Sequence, residues 1–140
     1  MNKPIDKFPK KTKVKLVGKF KDQRGLILNI SNNLFRSCLL ITSKKNSIRA
    51  NHYHKKDWHY CYVLKGKIEY YSRKVGSKKN PKKEIFKKGD LLFTPPMVEH
   101  AMVFHKDTSF LTLGGNSRVQ TEYEADLVRI ELVSPENVFK

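Results

Sequence analysis

The sequence predicts an all-β protein, and three observations carry that prediction. Short runs rich in Val, Ile, Leu, Phe and Tyr follow one another from residue 13 to residue 133. Each run is closed by Gly, Pro, Asn or Lys, the punctuation of strands. No apolar stripe of helical period is sustained over three turns. So many short strands hide their apolar faces only by stacking two sheets or closing one, so the expected architecture is a sandwich, a closed barrel or a jelly roll.

Taken in order, residues 1–12 are polar, basic and interrupted by Pro4 and Pro9, as expected of a flexible tail, and one domain spans 13–140. The expected strands are KVKLVGKF (13–20), GLILNI (25–30), RSCLLITS (36–43), SIRANHYH (47–54), HYCYVLKGKIEYYS (59–72), KEIFKKGDLLFTP (83–95), HAMVFH (100–105), SFLTLGG (109–115) and DLVRIELV (126–133). NNLFRS (32–37) and QTEYEA (120–125) are the two places where a short helix fits. Within 72–85, Gly76, Asn80 and Pro81 lie among five lysines, the composition of a solvated hairpin loop.

Composition narrows the function classes. No apolar run approaches the ~20 residues of a membrane helix, so no membrane association is expected. The first residues lack the apolar stretch of a secretory signal, and a cytoplasmic location with Cys38 and Cys61 reduced is the expectation. The net charge is +16, from 29 basic and 13 acidic residues. Lysine supplies 23 of the basic residues and arginine 6, and the lysines are scattered along the chain. Base readout favours arginine forks and aromatic platforms, so nucleic acid is not an expected partner.

Chemistry concentrates in RANHYHKKDWHY (49–60), which holds three of the five histidines. In a strand, alternate side chains share a face, so His52 and His54 project together, about 7 Å apart along the chain. His59 opens the next strand, and His100 follows the corner made by Pro95 and Pro96. His52, His54, His59 and His100 converging would make a nitrogen-rich site for Zn, Fe, Ni, Mn or Cu. The alternative is acid and base work by imidazoles that titrate near neutral pH. His105 lies one position past the alternation of His100, Met102 and Phe104 and is assigned to the surface.

Other residues have both a functional and a structural reading. Arg49 can bind a diphosphate through its planar fork, or make a salt bridge at the barrel rim. Tyr123 can donate a proton, or pack as a surface tyrosine. Trp58 can stack on a base or sugar, or fill a core or a subunit face. Cys61 shares the direction of His59 and would line the same cavity against substrate, although no basic partner is fixed nearby to make it a nucleophile.

HYHKKDWHYCYVLKG resembles the first cupin motif, with His52, His54, His59 and Gly66 at its spacing, and GDLLFTPPMVEH resembles the second, from Gly89 through Pro95 to His100. His59 stands where that family usually has glutamate, and Met97 where it usually has glycine. The resemblance implies a single-domain cupin jelly-roll β-barrel. More narrowly, FKDQRGLILNI and RANHYHK are similar to segments of nucleotide-sugar epimerase and ketoisomerase cupins and of the cupin domain of capsular-polysaccharide epimerases. That likeness implies a nucleotide-activated keto sugar as substrate, in polysaccharide or deoxysugar synthesis. His52 and His54 would then be either acid and base or ligands of a divalent metal (Zn, Fe, Ni or Mn), with no cofactor in the metal-free case. A metal-dependent cupin of another class, such as a dioxygenase, and a noncatalytic small-ligand-binding cupin are the alternatives. The resemblance also implies a homodimer joined through edge strands.

Overall fold

The computed structural model describes residues 7–16 and 18–139. Its strands are β1 (Lys13–Val14), β2 (Gly18–Asp22), β3 (Gly25–Asn29), β4 (Ser37–Ser43), β5 (Ser47–His54) and β6 (His59–Lys65). They continue with β7 (Lys67–Lys74), β8 (Lys82–Lys87), β9 (Leu91–Thr94), β10 (Val98–Phe104), β11 (Thr108–Gly114) and β12 (Leu127–Arg129), with helices α1 (Gln120–Asp126) and α2 (Pro135–Val138). Two five-stranded antiparallel sheets, ordered β1-β9-β6-β11-β4 and β12-β5-β10-β7-β8, face each other, and β2 and β3 form a separate ribbon. This is a jelly-roll arrangement, one of the three that the strand pattern allows and the one that the cupin resemblance implies.

The expected run 59–72 is two strands in opposite sheets. Its break is Gly66, at φ 89°, where an added Cβ would lie 2.4 Å from Thr108 Oγ1. The run 83–95 divides likewise at Gly89 and Asp90. Of the two helix candidates, 120–125 lies within α1, whereas 32–37 holds no helix. Asn33 there turns on the Ser31 hydroxyl and accepts a hydrogen bond from the Tyr60 phenol (2.8 Å).

Between the sheets lies a core of Cys61, Val63, Leu92 and Phe110 from one side against Ile68, Tyr70, Phe86, Met102 and Phe104 from the other. The outer faces are covered as well. Tyr60, Leu91, Phe93 and Leu113 pack under Val14, Leu16, Ile30 and Trp58, and Ala101 and Val103 pack under Leu132, Val133, Val138 and Phe139. Strands covered on both faces read as continuous apolar runs, which is why LLFT and HAMVF show so little alternation. Of the expected tail 1–12, residues 1–6 lie outside the described residues, and 7–12 form no strand or helix. Phe8 of that segment packs on Trp58 and Phe93, with ring centroids 5.0 and 5.7 Å away.

Two strained turns position the site. His100 pairs with His52 but Ala101 pairs with Ala50, so Asn51 is the extra residue of a β-bulge, and Ala50 and Asn51 take φ of 70° and 55°. The C-terminal segment holds the bulge: Asn51 Oδ1 accepts the Leu132 and Val133 amides, and the Asn51 carbonyl accepts the Ile130 amide. Met97, after Pro96, takes φ 60° and is 46% exposed. A left-handed non-glycine residue costs about 1–2 kcal/mol, and glycine returns ~0.5–1 of that through its unfolded-state freedom. Met97→Gly is therefore expected to raise the urea midpoint by the equivalent of roughly 0.5–1 kcal/mol; a lowered midpoint would show that the Met97 side chain contributes more than its backbone costs.

Candidate active site

One cavity of about 140 Å³ opens between the sheets, and His52, His54, His59, Cys61, His100 and Tyr123 all border it. β5 brings His52 and His54 to it with ring centroids 4.8 Å apart. β10 sets His100 opposite His52 in register, ring centroids 4.7 Å apart. His59 arrives from β6 in the facing sheet, not from a strand paired with β5, and its ring lies 4.7 Å from that of His54. Gly114, its cross-strand neighbour, leaves room for it, since a Cβ there would sit 3.0 Å from His59 Cδ2 and 2.5 Å from Ser37 Oγ.

The four imidazoles are not equivalent. Ligand atoms of His52, His54 and His100 all lie within 4.8 Å of one another. His59 stands apart from that set, because its Nε2 is directed at Asp57 Oδ2, 3.2 Å away. His100 Nδ1 lies 3.0 Å from the Val98 carbonyl, which fixes the proton on Nδ1 and leaves Nε2 as a lone pair. His54 is 2% exposed and, among the described residues, neither ring nitrogen has a hydrogen-bond partner; Asp126 Oδ2 lies 3.4 Å from Nδ1, a charge contact too poorly aligned for a full hydrogen bond.

Burial dominates the titration of this group. It drives His52 down to about 2, helped by the His100, His54 and His59 charges. It drives His100 down to about 3, against the Val98 carbonyl. His54 falls only to about 4, since Asp57 and Asp126 oppose burial and the His59 charge. These three imidazoles are therefore neutral at physiological pH. Burial alone would raise the Asp57 carboxyl, but His59 and the Asn116 and Trp58 amides outweigh it and hold the group below the ordinary carboxylate range.

Asp57 and Asp126 are the functional candidates that sequence reasoning did not single out. Asp126 at the end of α1 accepts the Lys56 amide on Oδ1 and the Asp57 amide on Oδ2, so it braces the turn that carries Asp57. Asp57 Oδ1 in turn accepts the Trp58 and Asn116 amides. Each carboxylate thus stands behind one imidazole and is held there by backbone donors.

The remaining expected site residues divide. Tyr123, on α1, has its ring centroid 5.7 Å from that of His54, and burial raises its phenol above the usual range. Arg49 borders the cavity, but its Nε donates to Ser43 Oγ (2.6 Å) and its Nη2 to the Thr42 carbonyl (2.7 Å). Cys61 borders the cavity beside Thr112 Oγ1 (3.3 Å), and burial pushes its thiol up to about 12, so it is an inert wall and not a thiolate. Trp58 is not among the lining residues; its indole packs with Phe8, Tyr60 and Phe93 on the outer face of the first sheet.

Comparison with known families decides the lineage. The cupin domain matches residues 39–113, more than half of the chain. The chain belongs to the cupin family. No curated protein sequence matches this cupin closely enough to count as a relative. Among solved structures it is similar to the dTDP-4-dehydrorhamnose 3,5-epimerase from Sulfolobus tokodaii, at 16% identity and TM-score 0.67, over 85% of this chain and 77% of that one. It is similar to the sugar 3,4-ketoisomerase QdtA from Thermoanaerobacterium thermosaccharolyticum, solved in complex with TDP, at 20% identity and TM-score 0.66, over 86% of each chain. It also resembles the capsular polysaccharide assembling protein CapF from Staphylococcus aureus, at 17% identity and TM-score 0.61, over 84% of this cupin but only 34% of CapF. At these identities the likenesses establish the fold. Among the described residues no helix is long and apolar enough to cross a membrane.

Proposed function

We propose that this cupin is an epimerase or ketoisomerase of a nucleotide-activated keto sugar. The observation that carries the reading is a base and an acid side by side on the wall of a cavity the size of one sugar ring: neutral His54, backed by Asp126, with the ring of Tyr123 5.7 Å from its own, centroid to centroid. At about 140 Å³ the cavity lies well below the ~300–1,000 Å³ of a drug-sized pocket, so a nucleotide would remain outside it. The fold likeness to sugar-nucleotide enzymes supports the same reading.

The chemistry follows from the residues. With Nδ1–H toward Asp126, His54 presents a lone pair on Nε2 that takes the proton from the carbon next to the sugar carbonyl, and the electron pair moves onto the carbonyl oxygen. The resulting imidazolium is stabilised by the Asp126 carboxylate, and the Tyr123 hydroxyl delivers a proton to the enolate. His52 lies beside His54 and lines the wall that orients the ring. Incubation with TDP- and UDP-linked 4-keto-6-deoxy sugars in D2O tests this, with deuterium entering carbon next to the carbonyl. Absence of exchange into every such sugar would remove the reading.

The donor set also fits a divalent metal. His54 nitrogens without partners, a His100 Nε2 freed by the Val98 contact and a neutral His52 are the features of a three-imidazole site, and these three residues would hold Zn, Fe, Ni or Mn. Such an ion supplies a Lewis acid for the carbonyl oxygen. Tag-free protein is expected to bind one equivalent of Zn²⁺ or Ni²⁺, and His100→Gln to weaken it about 100-fold or more in competition with a chromogenic chelator. Unchanged affinity in that variant would exclude the site. The same three imidazoles favour a second reading, a metal-dependent cupin of another class such as a dioxygenase, marked by oxygen consumption that a chelator abolishes.

A homodimer is the assembly we propose. β4, SCLLITS, is an uncharged edge strand with Leu40 68% exposed, and the β2–β3 ribbon exposes Phe20 and Ile27 opposite each other. Light scattering is expected to give twice the chain mass of 16.4 kDa, and Leu40→Lys to shift it toward the monomer; a wild-type monomer at micromolar concentration would exclude the assembly.

A further inference from the structure

The proposed substrate carries its diphosphate on the anomeric carbon of the sugar ring, so a ring seated in the cavity with that carbon outward puts the diphosphate at the mouth, and this inference rests on that reading. The mouth carries an arginine that sequence reasoning passed over. Arg118 borders the cavity with its guanidinium carbon 3.6 Å from the centroid of the Tyr123 ring. Among the described residues it has no hydrogen-bond acceptor and no ion pair. Arg24, Arg73 and Arg129 are each held by a carboxylate, Arg49 is held by Ser43 and Thr42, and Arg36 does not border the cavity. The N–H donors of Arg118 are thus the uncommitted cationic fork at the entrance.

Its placement is built from below. Gly115 N–H donates to the Trp58 carbonyl (3.1 Å) and Asn116 N–H to Asp57 Oδ1 (2.9 Å), so the segment before Arg118 is tied to the same turn that carries Asp57 and His59. A guanidinium resting on an aromatic face at an exposed site gains less than one hydrogen-bonded to a charged group, so a phosphate would draw it away. We infer that Arg118 receives the diphosphate of the substrate, and that it does so by leaving the face of Tyr123. The proton donor is then uncovered only when a phosphorylated sugar is in place.

TDP is the probe. Calorimetry is expected to show wild-type binding, a loss of about 10–100-fold in Arg118→Ala, a partial loss in Arg118→Lys, which lacks the bidentate fork, and no change in Tyr123→Phe, which keeps the ring. In ¹⁵N spectra the Arg118 Nε–H signal, ring-shifted in the free protein, is expected to move to the normal arginine range on adding TDP. If wild type binds TDP and Arg118→Ala binds it equally well, or the signal stays ring-shifted at saturation, the assignment of Arg118 fails while the sugar reading stands. If wild type binds neither TDP nor UDP, the sugar reading itself fails.

Discussion

Replacing His54 by asparagine is expected to lower turnover of a 4-keto nucleotide sugar by two to four orders of magnitude, the range that one positioned proton-transfer group contributes. His54 is the imidazole with the least depressed titration of the three neutral ones, because Asp57 and Asp126 oppose its burial. It is therefore the strongest base of the set, and His52, at about 2, is the weakest. Asp126→Asn acts through His54: removing the charge 3.4 Å from Nδ1 takes away support for the imidazolium, so His54 titrates lower still and accepts a proton less readily. The acid limb of the kcat/KM profile is expected to move to lower pH in that variant while kcat falls about 10–100-fold. A side chain that only braced the 55–57 turn would change stability and leave the limb in place. The same variant separates the two uses of His54. If the imidazole serves a metal, Asp126→Asn weakens the metal by about 10–100-fold and excess metal restores activity; if it serves as the base, no added metal does. Turnover of His54→Asn within tenfold of wild type would overturn its assignment as base.

The strands, the His52–His54 pair and the corner before His100 were legible because each rests on a local rule: alternation, apolar runs and proline. What was not legible rests on distant pairing. Asp126 lies 69 residues from Asp57, and only the antiparallel pairing of β12 with β5 brings α1 beside the 55–57 turn. Alternation does not say which sheet carries His59; the 55–58 turn sends β6 into the sheet opposite β5, so His59 meets His54 from the facing sheet. Strict alternation would place Arg49 opposite His52 and His54; the bulge at Asn51 brings it to the same cavity, against Ser43 and Thr42. Trp58 sits next to the motif in sequence but Asp57 caps its amide and Gly115 leaves space for its indole, where a Cβ would sit 2.4 Å from Nε1. Adjacency in sequence therefore located the site but did not say which neighbours point into it.

Acid should unfold the metal-free protein well before ordinary carboxylates titrate. His52, His54 and His100 are depressed from 6.5 to about 2, 4 and 3 by burial first and by each other's charges. A depressed imidazole is neutral when folded but protonated when unfolded once the pH drops below 6.5, so the unfolded chain binds more protons and stability falls with pH. The stability is whole above pH 6.5 and is lost steadily on descending toward the folded values. At pH 4.5 each imidazole has cost about 2–3 kcal/mol, and the three together roughly 6–9, against the ~5–15 of a whole domain. The depressed Asp57 carboxyl acts in the same direction but in a lower window, its stabilisation lost only below about pH 4, so it does not mask the imidazoles. Urea unfolding at pH 7.5, 6.5, 5.5 and 4.5 after chelator treatment is expected to show a midpoint that drops from pH 6.5 downward with a slope approaching three protons. His100→Gln should reduce that slope by one. A midpoint constant from pH 7.5 to 5 would mean that the three rings titrate alike in the folded and unfolded chains, and the depression of all three by burial would be overturned.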